Sequence, residues 1–208
     1  MPIDVVPDIS SAPLILASRS EARARVLREA GVAVEVMPAA IDEDAVKASL
    51  RAEGAPPRDI ADLLADLKAQ RVAGRRPDRL VLGADQVLVL DGEIFDKPPD
   101  RAAARAQLQA LRGRRHELLS AAVVFEAGAP VWRHIGRAQL TMRPFSDAFI
   151  ESYLDAEGAA VLDCVGAYRI EGRGAQLFAR VDGDIFSIMG LPLLECLGFL
   201  RTRGICIE

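Results

Sequence analysis

The chain has 208 residues, half of them apolar, and carries 26 Lys and Arg against 30 Asp and Glu for a net charge of −4. That composition allows a substantial core, and the acidic balance argues against a broad polyanion-binding surface, so nucleic acid is not an expected partner. Cys164, Cys196 and Cys206 lack CxxC spacing and indicate neither a disulfide framework nor a zinc knuckle, and no apolar run reaches the roughly 20 residues that span a bilayer. A cytoplasmic protein without a membrane partner is expected, as one domain over residues 1–208 with residues 1–12 a loose N-terminal extension.

Residues 13–17 read as a compact apolar strand that runs through Ser18-Arg19-Ser20 into a helix over 21–30, closed by Gly31. A strand entering a helix through small hydroxyl residues suits anion binding, because free backbone N–H groups and the positive helix end converge on one spot. Ser18 and Ser20 can add O–H donors, and Arg23, three residues past Ser20, can grip a phosphate with two parallel hydrogen bonds. The plainer reading makes Ser20 a helix cap and Arg23 a solvated helix residue. Residues 32–38 alternate like a second strand, and Asp42-Glu43-Asp44 then offers either metal ligands or the acidic start of a helix. Residues 53–57 are a loop by composition. From Asp59, taken as the cap, Ile60, Leu63, Leu64 and Leu67 mark an amphipathic helix ending near Gly74, with Lys68 beside its apolar stripe, either snorkelling to solvent or reaching a phosphate.

Residues 80–98 are the expected chemical centre. A buried strand over 80–82 loses bulk at Gly83-Ala84 and delivers Asp85 at its end, and Asp91-Gly92 turns a hairpin that carries Lys97 back towards Asp85. A carboxylate and an ammonium so placed suit metal-assisted chemistry on a phosphorylated substrate, or an ordinary salt bridge. Pro98-Pro99-Asp100 starts a helix with Ala104, Leu108 and Leu111 inward, and 118–125 with 131–142 form a long hairpin. His116 and His134 have no partner at ligand spacing and take structural or exposed roles. Ser146 caps a helix carrying Phe149, Ile150, Tyr153 and Leu154. Three glycines in 166–174 allow close approach to a ligand, with Tyr168 offering a ring and Glu171 a carboxylate, unless this is a solvated loop. Residues 177–181 and 185–188 are predicted to be closing strands around Asp182-Gly183, followed by a last helix over 193–200.

Residues 18–23, 83–98, 166–174 and 183–192, together with Lys68-Ala69 and the segment 111–116, occur in the order and spacing of the Maf family of nucleoside triphosphate pyrophosphatases, which the chain resembles from about residue 14 to 194. The resemblance implies an α/β fold of the Maf and ITPase kind: an elongated mixed β-sheet flanked by helices, in two lobes with a central cleft. It implies hydrolysis of a nucleoside triphosphate to monophosphate and pyrophosphate with a divalent cation, Mg or Mn, and leaves a homodimer open. By position, Ser18, Ser20, Arg23, Lys68 and Lys97 match the residues that hold the triphosphate. Asp85 matches the catalytic aspartate and a metal ligand, and Asp42 the acidic residue after the second strand. Where the family has S-x-S-P-R-R this chain reads Ser18-Arg19-Ser20-Glu21-Ala22-Arg23, so Ala22 replaces one arginine, with Arg19 or Arg25 as candidates to compensate. Gln86 and Glu171 resemble the branch acting on 7-methyl-GTP, and a carboxylate suits the two adjacent donors of a guanine edge. Residues 166–168 resemble the branch acting on thymidine and uridine triphosphates. The resemblance also leaves a nucleotide-binding regulator of septum formation as an alternative.

Overall fold

The computed structural model describes residues 12–206, so the expected N-terminal extension, but for Ala12, lies outside the described residues. Seven strands form one mixed sheet. β1 (Leu14–Leu16) lies parallel to both β2 (Val34–Val36) and β3 (Val81–Leu90). β3 then pairs antiparallel with β4 (Glu93–Phe95) and with β5 (Arg115–Glu126), β5 with β6 (Ala129–Met142), and β6 with β7 (Phe178–Asp182). The parallel half follows from helical crossovers, and in the antiparallel half β3–β4 and β5–β6 are hairpins. Asp91-Gly92 and Ala127-Gly128 turn those hairpins with positive φ at both central residues, the geometry that matches strand twist.

Alternation along the sheet separates two cores. On one face α3 (Pro57–Ala73) lays Ile60, Leu64, Ala65 and Val72 against Ile15, Val81, Val87 and Phe125. On the other, α1 (Glu21–Glu29) and α7 (Leu193–Thr202) cover Leu14, Leu16, Leu82 and Ala84 with Val26, Leu27, Cys196 and Leu200. A third core gathers α4 (Arg101–Leu111) and α5 (Asp147–Glu157) around Leu88, Leu118, Leu140 and Tyr168, forming the second lobe. Each fully buried Leu or Ile contributes about 1.5–3 kcal/mol. Among the described residues no helix is long and apolar enough to cross a membrane.

Four expectations change. Asp85 does not end a strand: β3 runs unbroken through Gly83 to Leu90. Gly83 instead lets α3 pack on the strand backbone, since a Cβ there would stand 2.1 Å from the carbonyl oxygen of Ala65 and 2.7 Å from the amide nitrogen of Ala69. Asp59 is not the cap of α3; Pro56 holds that place with Pro57 in the first turn, where a missing N–H removes nothing. Residues 185–188 are not a strand but a short helix, α6 (Ile185–Ile188), because Asp184 accepts hydrogen bonds from the amides of Phe186 and Ser187 and starts a helical turn. The strand over 32–38 shrinks to the three residues of β2.

Candidate active site

β1 accompanies β3 only as far as Leu82, then turns away through Ser18 into α1. That divergence opens a notch at the C-terminal end of the parallel pair, the usual place for ligands in sheets of this type. Asp85, three residues further along β3, lies in it. The notch widens into a cleft of about 460 Å³ lined from one lobe by Ser18, Ser20, Arg23, Asp42, Lys68 and Asp85 and from the other by Leu118, Asp163, Tyr168 and Glu171, with Gln86 and Lys97 between. Apart from Arg25, every residue singled out from the sequence as a site candidate therefore borders one cavity.

The anion-binding turn uses both of its readings at once. Ser20 caps α1 by accepting from the amide of Arg23, and Ser18 Oγ accepts from the amide of Ser20 and from Arg23 Nη1. Each hydroxyl thus accepts on the protein side and keeps its hydrogen for an anion. Arg23 is not solvated; it is buried and pinned, donating through Nε to the carbonyl of Gly190 at 2.7 Å and through Nη1 to that of Ala84 at 2.9 Å. Burial lowers its pKa, opposed by the charges of Asp85 and Glu43. With Nε and Nη1 occupied, the expected two-pronged grip on a phosphate is replaced by what Nη2 can offer. Ala22 lines the cleft, and of its two candidate substitutes Arg19 lines it too, whereas Arg25 pairs with Glu171 at 3.1 Å.

At the floor, α3 delivers Lys68 opposite Asp85. The lysine does not snorkel outward; it is buried, and its ammonium donates to Asp85 Oδ1 at 2.6 Å and Glu43 Oε2 at 2.7 Å. Asp85 Oδ2 is buried with no hydrogen-bond partner among the described residues. Glu43 comes from the first turn of α2 (Glu43–Ala52), and although burial raises its pKa, the charge and hydrogen bond of Lys68, with Lys47 and Arg23, prevail and hold it below the ordinary carboxylate value. Sequence reasoning grouped Glu43 with Asp42 and Asp44 without choosing it; only the pairing through Lys68 distinguishes it. Asp42 lines the cleft but caps α2, accepting from the amide of Ala45. Lys97 lines the wall, its pKa lowered by the low-dielectric surroundings and then by Arg23, against Asp163, Cys164 and Glu43.

Among the described residues no group of three or more His, Cys, Asp and Glu could hold a metal ion. A hard divalent cation needs less from the protein when substrate phosphates complete its shell, and one or two carboxylates suffice. Asp85 and Glu43 supply those, and the unpartnered Asp85 Oδ2 is the acceptor such an ion would use. Charge points the same way: seven carboxylates and five Lys or Arg line the cleft, so a polyphosphate needs an added cation to enter.

Gln86 is held by the second lobe and α6. Its Nε2 lies 3.0 Å from the carbonyl oxygens of both Ser187 and Ile188 and 2.9 Å from Ser120 Oγ, so the amide nitrogen must face them and Oε1 is left as an acceptor. Glu171 Oε1 is shared by Arg25 and Arg169, and Oε2 has no hydrogen bond among the described residues. Tyr168 is not an open stacking ring: it is buried, edge-on to Phe178, with its hydroxyl 2.9 Å from Nε2 of the buried His116. Burial pushes the His116 pKa down to about 4 and the Tyr168 pKa well up. The structural role expected of His116 is the one it has.

The family described as Maf-like protein matches residues 13–203. The nucleoside triphosphate pyrophosphatase of Paramagnetospirillum magneticum is 54% identical over 91% of this chain and 98% of its own, and that of a Ruegeria species is 49% identical over 94% and 98%. A crystal structure of a nucleoside-triphosphatase, dITP/XTP pyrophosphatase, from Mycobacterium abscessus is similar with a TM-score of 0.40 and 17% identity, covering 93% of this chain and 95% of that one.

Proposed function

This chain belongs to the Maf-like protein family, and from that premise we propose that its cleft hydrolyses a nucleoside triphosphate to the monophosphate and pyrophosphate. The observation that carries the reading is Asp85 Oδ2, a buried acceptor without a partner in a cleft otherwise furnished for phosphate. Asp85 orients a water molecule and takes its proton as the oxygen attacks the α-phosphorus, the bond to the bridging oxygen breaks, and pyrophosphate departs. Ser18, Ser20 and Arg23 Nη2 donate to phosphate oxygens at the start of α1, and Lys97 closes on them from the hairpin. Lys68 fixes the orientation of Asp85 and Glu43. Asp85 and Glu43 would hold a Mg or Mn ion, with Asp42 beside them already capping α2, and such an ion would neutralise phosphate charge and make the attacking water more acidic.

For the base, the guanine-type reading, 7-methyl-GTP included, gains support from Gln86 Oε1 and Glu171 Oε2, two acceptors suited to the N1–H and amino donors of that edge. A uracil edge would leave one of them unpaired, at about 1–3 kcal/mol. The test is pyrophosphate release from a panel of canonical and methylated triphosphates with Mg²⁺ or Mn²⁺. Asp85→Asn should lower kcat by a factor of about 10²–10⁴, the usual contribution of a general base, and full activity in that variant refutes the catalytic assignment. Glu171→Gln should weaken guanine-type substrates more than uridine-type ones; equal loss on both dismisses the base assignment.

A further inference from the structure

Resting on the pyrophosphatase reading, we propose that Lys47 is an additional phosphate-binding residue, held at the cleft by Asp96 and directed to the pyrophosphate portion of the substrate. The helix α2 buries no residue, yet Glu43, Lys47 and Arg51 recur at every fourth position and so share one face of it. Glu43 on that face reaches Lys68 at 2.7 Å. One turn on, Lys47 Nζ donates to Asp96 Oδ1 at 3.1 Å, and a further turn on Arg51 donates to Asp96 Oδ2 at 3.0 Å. Lys47 borders the cleft and its side chain is only 15% exposed.

The need for this ammonium follows from what the other cations are doing. Arg23 has two of its three nitrogens committed to Gly190, Ala84 and Ser18, and Lys68 is held between two carboxylates. Among the described residues that leaves Arg19, Lys97 and Lys47 as cleft cations with donors to give. A lysine has three donors, and Asp96 takes one of those of Lys47. Asp96 also lines the cleft. Its pKa is raised by burial, but the hydrogen bonds and charges of Lys47 and Arg51 outweigh that and lower it, so it stays a charged anchor. Lys47 lies on the Glu43 and Asp96 side, whereas the base-reading acceptors Gln86 and Glu171 come from β3 and the 166–174 segment. The leaving pyrophosphate is therefore the part of the substrate it meets.

The experiment compares the parent with Lys47→Ala, Lys47→Arg and Arg51→Ala, each as the full chain with Mg²⁺. Inorganic pyrophosphate and a nucleoside monophosphate are titrated separately by calorimetry, and steady-state rates are measured in parallel. Lys47→Ala should weaken pyrophosphate binding and raise KM about tenfold, the loss of one charge-assisted hydrogen bond. Its monophosphate affinity should not change, Lys47→Arg should recover most of the loss, and Arg51→Ala, which breaks the other half of the Asp96 bridge, should bind pyrophosphate like the parent. Unchanged pyrophosphate affinity in Lys47→Ala, an equal loss of monophosphate binding, or an equal loss in Arg51→Ala overturns the proposal. A parent that binds pyrophosphate through Lys47 but releases none from triphosphates refutes the pyrophosphatase reading instead.

Discussion

Replacing Lys68 by methionine should destabilise the protein strongly at neutral pH. The ammonium is buried and bonded to Asp85 at 2.6 Å and Glu43 at 2.7 Å, so methionine fills the volume and leaves two carboxylates without their shared cation. Breaking a buried ion pair from one side costs about 3–5 kcal/mol, because the partner remains buried and uncompensated. Here the two acids differ. Glu43 keeps 26% of its side chain exposed and stays near Lys47, so it can relax towards water. Asp85 has 7% exposed and an Oδ2 already without a partner, so it carries most of the penalty. The lower end, about 3 kcal/mol, is expected at pH 7.5. Mg²⁺, which can take the place of the lost charge, should return part of it and raise the transition midpoint of Lys68→Met more than that of the parent. Urea titrations of both proteins, with and without Mg²⁺, measure this. A loss below about 1 kcal/mol, the range of a surface ion pair, would show that Lys68 does not hold two buried carboxylates.

Gly83→Ala should separate α3 from the sheet, since the added methyl meets backbone atoms of Ala65 and Ala69 that cannot yield locally; a loss of at least 2–3 kcal/mol in urea melts is expected, in the upper range for overpacking. His116 should make stability fall on acidification. Its folded pKa of about 4 lies below its ordinary 6.5, so the unfolded chain binds the proton first, and stability that is full above pH 6.5 declines towards pH 4 by about 3 kcal/mol. His116→Leu should flatten that part of the profile, and an unchanged slope would refute the assignment. Asp184→Ala removes the cap of α6 at about 1 kcal/mol. Because α6 carries the carbonyls that orient Gln86, this variant should also narrow discrimination between guanine-type and uridine-type substrates, measured as the ratio of their kcat/KM values.

The alternation and turn chemistry of the chain determined most of the fold by themselves. The hairpins at Asp91-Gly92 and Ala127-Gly128, the caps Ser20, Asp100 and Ser146, and the inward stripe of Ala104, Leu108 and Leu111 are local devices, read from neighbours a few residues apart. Local reading failed where a distant element used the same residue for another purpose. Gly83 resembled a strand end and is a seat for α3; the Ile185–Ile188 run resembled a strand and is a helix because Asp184 caps it. The site followed the same division. Sequence identified Ser18, Arg23, Lys68, Asp85, Gln86, Lys97 and Glu171 as residues of suitable chemistry, and all of them border one cleft. What each can offer a ligand depends on partners far along the chain. Arg23 is held by Gly190, 167 residues away, Gln86 is turned by Ser187 and Ile188, and Glu43 emerges from an acidic trio because Lys68 lies opposite it. Hydrogen-bonding capacity is a property of a side chain; which part of it remains free is decided only when the strands and helices close around it.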